Sequence, residues 1–485
     1  MGGRDLFVLG LNAWDHDVSA CLLREGAVEV AIAKERLTRV KHDAGFYEEV
    51  VDYCLDAAGI PLDRVDLVVR NSYVLPVPEI ERRLVHQRRD YYLTPRERER
   101  ALVHPLFGRP DSDRVATVSH HLAHAWSAFA LSPFKEGAVM VVDGVGSYRR
   151  DCTEAVPAGS AAHPLARESE SWYRFKGTTL EPLRKFWLEP AAGFLNDEFW
   201  QMAGLGALYS RVSSYVFGDW NLCGEVMGLA PYGRPGREPL LRLEADGRLV
   251  VPEWGKEFAH PFLGRGDGAW ESSPHREEWQ DLARRVQEDT ERVLVERARA
   301  LQRLTGAENL CIAGGVGLNC VANARILEES GFRRVFVQPA AGDDGIALGA
   351  ALYGHGALRG RDRAFIQRSA FLGREYGEEE IAEAAARPLL RFSASRSRWK
   401  DVSARAARLL AEGKVLGWVQ GGSEFGPRAL GDRSLLADPR DARMKDAVND
   451  RVKHRQPFRP FAPAVLAERA PPAPTSPARS GRDAP

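Results

Sequence analysis

His120 and His124 stand four residues apart in the run Ser119-His120-His121-Leu122-Ala123-His124. If the run is helical, both imidazoles share one face. Two imidazoles at that spacing can chelate one metal ion. A helix N-terminus at this point would depress their basicity and keep the rings neutral and able to ligate. A capping and packing cluster explains the same residues, and a carboxylate at a strand end, as a third ligand, would separate the two readings. Two glycine-flanked acidic turns supply such carboxylates: Asp143-Gly144-Val145-Gly146 and Gly342-Asp343-Asp344-Gly345. Glycines let backbone approach a phosphate, and the carboxylate can hold a cation or orient a hydroxyl; alone, each is simply a turn. A third turn, Gly314-Gly315-Val316-Gly317-Leu318-Asn319, resembles a nucleotide cradle but has neither the GxxxxGK[ST] nor the GxGxxG spacing, so neither a P-loop nor a dinucleotide fold is indicated.

Two further groups carry charge. His16 sits between Asp15 and Asp17, and His42 between Lys41 and Asp43. A histidine flanked by carboxylates can act as general base toward a hydroxyl; a polar surface turn is the plainer account. From Arg428 to Arg459 nine Lys or Arg face five Asp, a local excess of four. Arg428, Arg433, Lys453 and Arg459 lie beside Gly426-Pro427 and Phe458-Arg459-Pro460-Phe461. Arginines fixed by such turns suit bidentate phosphate recognition, with a solvated basic face as the alternative.

The elements that must position these groups follow from hydrophobic patterning. Residues 6–12, 18–24 and 27–33 read as a β-meander with a tight turn at Glu25-Gly26. A helix over 46–58 and a strand over 65–70 follow. A strand over 115–119 feeds a helix over 120–131, and a buried strand over 138–142 ends in the Asp143 turn. Residues 150–220 are rich in aromatics and glycine without periodicity and are expected to face substrate. A helix over 280–304, strand 310–313, helix 321–329, strand 334–338 and helix 346–353 alternate in the manner of an α/β domain, with ligands expected at strand C-termini. Residues 354–363 read as a linker. A smaller module opens near Phe371, with a helix over 401–412 and a strand over 415–419.

The whole chain has 485 residues, which suggests two to four domains. Lys plus Arg and Asp plus Glu number 67 each, so no net charge draws the protein to nucleic acid or an anionic membrane. A composition 44% hydrophobic and 28% charged fits a folded globular chain. No apolar run approaches the roughly 18 residues of a membrane span, and the N-terminus does not read as a signal peptide. Six cysteines, at 21, 54, 152, 223, 311 and 320, form no CxxC pair and suit reduced thiols in a cytoplasm.

Taken together, the segments resemble the carbamoyltransferase family that includes the nodulation-factor and antibiotic O-carbamoyltransferases. The resemblance rests on HHLAHA at 120–125, VDGVG at 142–146, MGLAPYG at 227–233, GGVGLNCVANARI at 314–326, PAAGDDGIALGAA at 339–351, EFGPRALGDRSLLADPR at 424–440 and FRPFAPAVL at 458–466. It implies an α/β fold: a duplicated actin/sugar-kinase/Hsp70-like large domain over 1–362, similar to the universal threonylcarbamoyl-transfer protein, then a YrdC-like domain over 371–466. The resemblance further implies that the smaller domain joins carbamoyl phosphate to Mg-bound ATP, releasing pyrophosphate and forming carbamoyl-adenylate. The large domain would then pass the carbamoyl group to a hydroxyl of a sugar or antibiotic-type acceptor.

By the same resemblance His120, His124 and Asp343 would hold an iron-type metal, Fe2+, with Asp143 as a fourth ligand or a phosphate-side carboxylate. His16 and His42 would line the acceptor side, with His16 the base. Gly144, Gly314, Gly315, Asn319 and Asp344 would hold the nucleotide, and Arg428, Arg433, Lys453 and Arg459 the phosphates. Neutral charge and the fused second module argue against a transfer RNA substrate. The chain departs from the family pattern at Gly422, where Arg is expected, and at Glu225, where Lys is expected. After FRPFAPAVL, where the family continues, residues 467–485 contain ten Ala or Pro. This tail reads as disordered and the smaller domain as cut short, so a nucleotide-binding remnant without the adenylate-forming step is the alternative expectation.

Overall fold

In a computed structural model, residues 4–13, 16–71, 113–160, 162–189, 203–250, 273–387 and 399–469 are described. The apolar runs at the N-terminus form β1 (Phe7–Asn12), β2 (Ser19–Arg24) and β3 (Ala27–Ala33), an antiparallel meander. Strands β4 (Leu67–Asn71) and β5 (Val115–Val118) add to it in parallel, giving the order β3-β2-β1-β4-β5. Leu9, Leu11 and Leu22 are fully buried here, together with Phe46, Tyr47 and Val50 at the start of the helix Glu48–Ala58.

The pattern then repeats. Strands β6 (Glu136–Val142), β7 (Arg167–Lys176) and β8 (Thr179–Leu188) make a second antiparallel meander. A minimal hairpin follows, β9 (Arg242–Leu243) with β10 (Leu249–Val250). Strands β11 (Asn309–Ala313) and β12 (Arg334–Val337) then join β6 in parallel, giving β8-β7-β6-β11-β12. Two sheets of identical order and direction make this a duplicated α/β fold of the actin/sugar-kinase/Hsp70 type.

The helix that closes each repeat does not pack on its own sheet. His120–Phe129 follows β5 but lies against β6, β7 and β11, whereas Ile346–Tyr353 follows β12 but lies against β1, β2 and β4. The two helices cross each other where Gly349 has no side chain: a Cβ there would sit 1.8 Å from the Ala123 carbonyl oxygen.

Two expectations are corrected. Part of 150–220 is regular, because β7 and β8 are ten-residue strands. Register shifts at Glu168/Glu170 and Trp172/Tyr173 interrupt their alternation, which hides the period of two from the sequence; residues 190–202 of this segment lie outside the described part. The proposed linker 354–363 is anchored at both ends, with 357–362 exposed between them. Gly354 and His355 are buried, and the Arg363 guanidinium donates to the carbonyls of Ala130, Ser132 and Phe134.

Residues 369–470 form a separate compact unit. It contains the antiparallel pair β13 (Leu416–Val419) and β14 (Arg433–Leu436), with helices Glu378–Ala386, Trp399–Ala411 and Arg443–Val448. Phe425 and Phe458 are buried in it. Of the tail, only 467–469, one helical turn, is described. No helix among the described residues is long and apolar enough to cross a membrane.

Candidate functional site

Four side chains converge beyond the C-terminal ends of β5, β6 and β12. His120 and His124 come from the first turns of the helix His120–Phe129, Asp143 from the end of β6, and Asp343 from the turn before the helix Ile346–Tyr353. All four are buried, and one ligand atom from each lies within 4.8 Å of every other. His120 Nε2 is 2.9 Å from Asp143 Oδ2 and 3.5 Å from Asp343 Oδ1, and His124 Nε2 is 3.5 Å from Asp343 Oδ1. The repeat explains the meeting: Asp143 follows the first strand of the second repeat, while His120 and Asp343 open the closing helices of the two repeats.

Burial disfavours a charge on His120, but Asp343 and Asp143 outweigh it and raise the imidazole well above its ordinary value. The expectation that the helix N-terminus would depress this ring is therefore corrected; two carboxylates in contact dominate a helix end. Both carboxyls are held below the usual range despite burial, Asp143 chiefly by His120, and Asp343 by His120 with His16 and His124. Both nitrogens of the fully buried His124 lack a hydrogen-bond partner. An orphaned imidazole facing two anions is the donor set a divalent cation satisfies.

Beside this cluster the chain after β1 folds back on itself. His16 Nδ1 lies 2.7 Å from Asp17 Oδ2, and His42 Nδ1 lies 2.9 Å from Asp17 Oδ1, so a single carboxylate orients both rings. His16 Nε2 points the other way, 3.4 Å from Asp343 Oδ2, and the ring edge meets Trp220 at 4.8 Å. Asn12 secures the turn by donating to the carbonyls of His16 and Asp17, and Asn71 donates to Asn12. Asp17 and His42 both have positive φ, 59° and 53°. Such backbone persists in non-glycine residues when surrounding structure over-determines it. Burial disfavours a charge on either group, yet the pairing prevails: Asp17 is held low by His16 and His42, and His42 is raised by Asp17. The sequence shows Asp17 as a carboxylate flanking His16; that the same carboxylate also orients His42, 25 positions away, is not visible in it.

The glycine turn after β11 lies next to the cluster. Gly314 has φ +90°, and a Cβ on it would come within 2.2 Å of the Val142 carbonyl oxygen. The Gly315 amide donates to Asp143 Oδ1 at 2.8 Å. Gly144 is half-buried. Asn319 is engaged within the protein, its Oδ1 capping the next helix through the Ala322 amide and its amide paired with Gln287. Asp344 is buried, and burial with the negative charges of Asp17, Glu35 and Asp343 pushes its carboxyl up to about 8.

Residues 7–352 match the family described as carbamoyltransferase N-terminus, and residues 407–479 match carbamoyltransferase C-terminus. The chain belongs to the carbamoyltransferase family. It is 35% identical to the nodulation protein NolNO of Sinorhizobium fredii over 93% of this chain and 62% of that relative. It is 36% identical to the 3'-hydroxymethylcephem-O-carbamoyltransferase of Streptomyces clavuligerus over 35% of this chain and 31% of that one. Among solved structures, full-length HypF in its phosphate- and nucleotide-bound form aligns with a TM-score of 0.42 and 13% identity, covering 73% of this chain and 56% of HypF.

In the second unit, the four basic residues sit differently from one another. Arg428 and Lys453 are exposed and Arg459 half-buried. Arg433 donates to the carbonyls of Gln420, Gly421 and Asp432. The loop carrying Arg428 is gathered around Glu424, which is 2% exposed and accepts from the amides of Leu430, Asp432 and Arg433. Burial opposes the Glu424 charge, and those amides overcome it, holding the carboxyl below its usual range. At Gly422, the departure from the family pattern, a Cβ would meet the Gly373 carbonyl oxygen at 2.2 Å, so no side chain fits the observed backbone.

Proposed function

We propose that the protein is an ATP-dependent O-carbamoyltransferase. It takes the carbamoyl group of carbamoyl phosphate through carbamoyl-adenylate, with release of inorganic phosphate and pyrophosphate, to a hydroxyl of a small-molecule acceptor of the sugar or antibiotic type, with AMP as the leaving group. The observation that carries this reading is the buried cluster of two imidazoles and two carboxylates with a carboxylate-oriented histidine beside it, in a chain of this family. His120, His124, Asp143 and Asp343 are the residues that would hold a divalent cation, Fe2+ by resemblance. When bound, such an ion supplies Lewis acidity toward a phosphate oxygen.

The chain's own residues do the rest. His16, oriented through Nδ1 by Asp17, directs Nε2 to the cluster side, where in its unprotonated form that nitrogen accepts the proton of the acceptor hydroxyl as the oxygen attacks. His42, on the other oxygen of Asp17, helps keep that carboxylate ionised and in place. Gly144, Gly314 and Gly315 offer backbone to the nucleotide phosphates, Asn319 shapes their turn, and Asp344 serves the nucleotide as a hydroxyl-orienting group. Arg428, Arg433, Lys453 and Arg459 bind the anionic groups of carbamoyl phosphate and ATP, offsetting charge during adenylyl transfer.

Incubation with labelled carbamoyl phosphate, ATP and a panel of hydroxylated sugars and hydroxymethyl cephems tests the reading. A carbamoylated product that requires both ATP and carbamoyl phosphate is expected. Nucleotide binding with neither product nor carbamoyl-phosphate-dependent pyrophosphate release would replace it with a nucleotide-binding protein that lacks the adenylate-forming step.

A further inference from the structure

Behind the His/Asp cluster lies a second set of buried charges that ligates nothing. Lys185 on β8 is fully buried and contacts Glu168 Oε1 and, at 2.6 Å, Glu154 Oε1. Tyr173 donates to the same Glu154 oxygen at 3.0 Å, and its hydroxyl and that of Ser171 lie 3.4 Å from the lysine nitrogen. A buried ammonium between two carboxylates is expensive to assemble and damaging to break, so the uses of the remaining oxygens are informative.

Those oxygens go to the helix that carries His120 and His124. The first amides of a helix have no partner within it, and Ser119 does not cap this one with its own side chain. Tertiary acceptors take its place. The Ser119 amide donates to Thr153 Oγ1 at 3.0 Å, the His120 amide to Ser147 Oγ at 2.9 Å, and the His121 amide to Glu168 Oε2 at 3.3 Å. The Ser119 hydroxyl donates to Glu154 Oε2. Glu168 Oε2 also accepts from the Ser147 amide at 3.0 Å, and Ser147 closes the turn that begins at Asp143. A single carboxylate oxygen thus joins the histidine helix to the Asp143 turn.

We propose that Glu168, held in place by Lys185 with Glu154, is a positioning group that sets His120 and His124 against Asp143. The proposal uses the functional reading above only to name those three as ligands. Groups around a ligand set typically alter metal affinity by about 10–100-fold when changed, although these act through backbone amides.

The test uses the full chain with Glu168→Gln and Lys185→Met. Hydrogen exchange at the amides of His120, His121 and Ser147 is expected to quicken at least tenfold in both variants, while β1–β3 exchange as in the parent. A merely structural role would quicken exchange throughout in proportion to lost stability, and that result, or unchanged exchange at the three amides, overturns the proposal. If Lys185→Met does not fold, the neutral combination of Glu154→Gln, Glu168→Gln and Lys185→Met keeps the shape without leaving a buried charge, and the same amides are read. Co2+ titration gives a second readout: affinity about 10–100-fold weaker with an altered visible spectrum supports the proposal, and parental affinity and spectrum overturn it. A parent chain that binds no Co2+ would remove the metal from the functional reading and leave the exchange result to decide this one.

Discussion

His124 and Asp17 carry the clearest consequences of single side chains. His124 is fully buried, with neither ring nitrogen hydrogen-bonded, and faces two carboxylates. His124→Ala should abolish stoichiometric binding of a divalent ion, read by elemental analysis after gel filtration, because it removes one of four ligands. Asp17→Asn leaves both imidazoles without their shared anion. It should lower the rate of carbamoyl transfer about 10–100-fold, the usual effect of removing a group that orients a functional histidine, with metal content unchanged. A variant that loses its metal along with activity would show that Asp17 serves the cluster rather than His16.

Elements decide where those residues can meet, and the crossing of the two closing helices is the tightest junction in the repeat. Gly349→Ala would drive a methyl into the Ala123 backbone at 1.8 Å, forcing the helices apart. Overpacking of this kind costs about 1–3 kcal/mol, so thermal denaturation should show a midpoint several degrees lower. The first meander was legible because its apolar runs end in turn residues, and the helix Ile346–Tyr353 was placed as observed. The β7–β8 hairpin was not, since its register shifts break alternation. At the site, each carboxylate could be seen at a strand end. That His120 would be governed by those carboxylates rather than by its helix could not, because both contacts are tertiary, Asp143 lying at the end of a strand of the other sheet and Asp343 more than two hundred positions away. Glu168 and Lys185 were invisible for a related reason: Glu168 caps that helix from the second meander, and Lys185 holds Glu168 there.

For the whole molecule, the even balance of 67 acidic and 67 basic residues conceals local concentrations. The buried carboxylate of Glu168 resists protonation because Lys185 and His121 outweigh the effect of burial. Its stabilising contribution is therefore complete above the ordinary glutamate value of 4.5 and is lost as pH falls below it. Acid unfolding followed by circular dichroism should show a shallower pH dependence below about 4.5 in Glu168→Gln than in the parent. Chelation should act globally as well. The four candidate ligands belong to elements of both repeats, so removing a bound ion at about 100 times its dissociation constant should withdraw about 2.7 kcal/mol from unfolding, measured with and without chelator.

The exchanged closing helices say something about how such a molecule can be cut or copied. A fragment ending after the helix His120–Phe129 would hold that helix against no sheet of its own, and a fragment beginning at β6 would lack the helix that covers it. A chain severed between Phe129 and Glu136 is therefore expected to regain its structure only when the two pieces refold together, read by circular dichroism of each piece and of the mixture. In effect the large unit is a domain-swapped pair written into one polypeptide. A single copy of the pattern would complete itself by trading helices with a twin, and residues at equivalent positions of the two copies would face each other across the axis relating them.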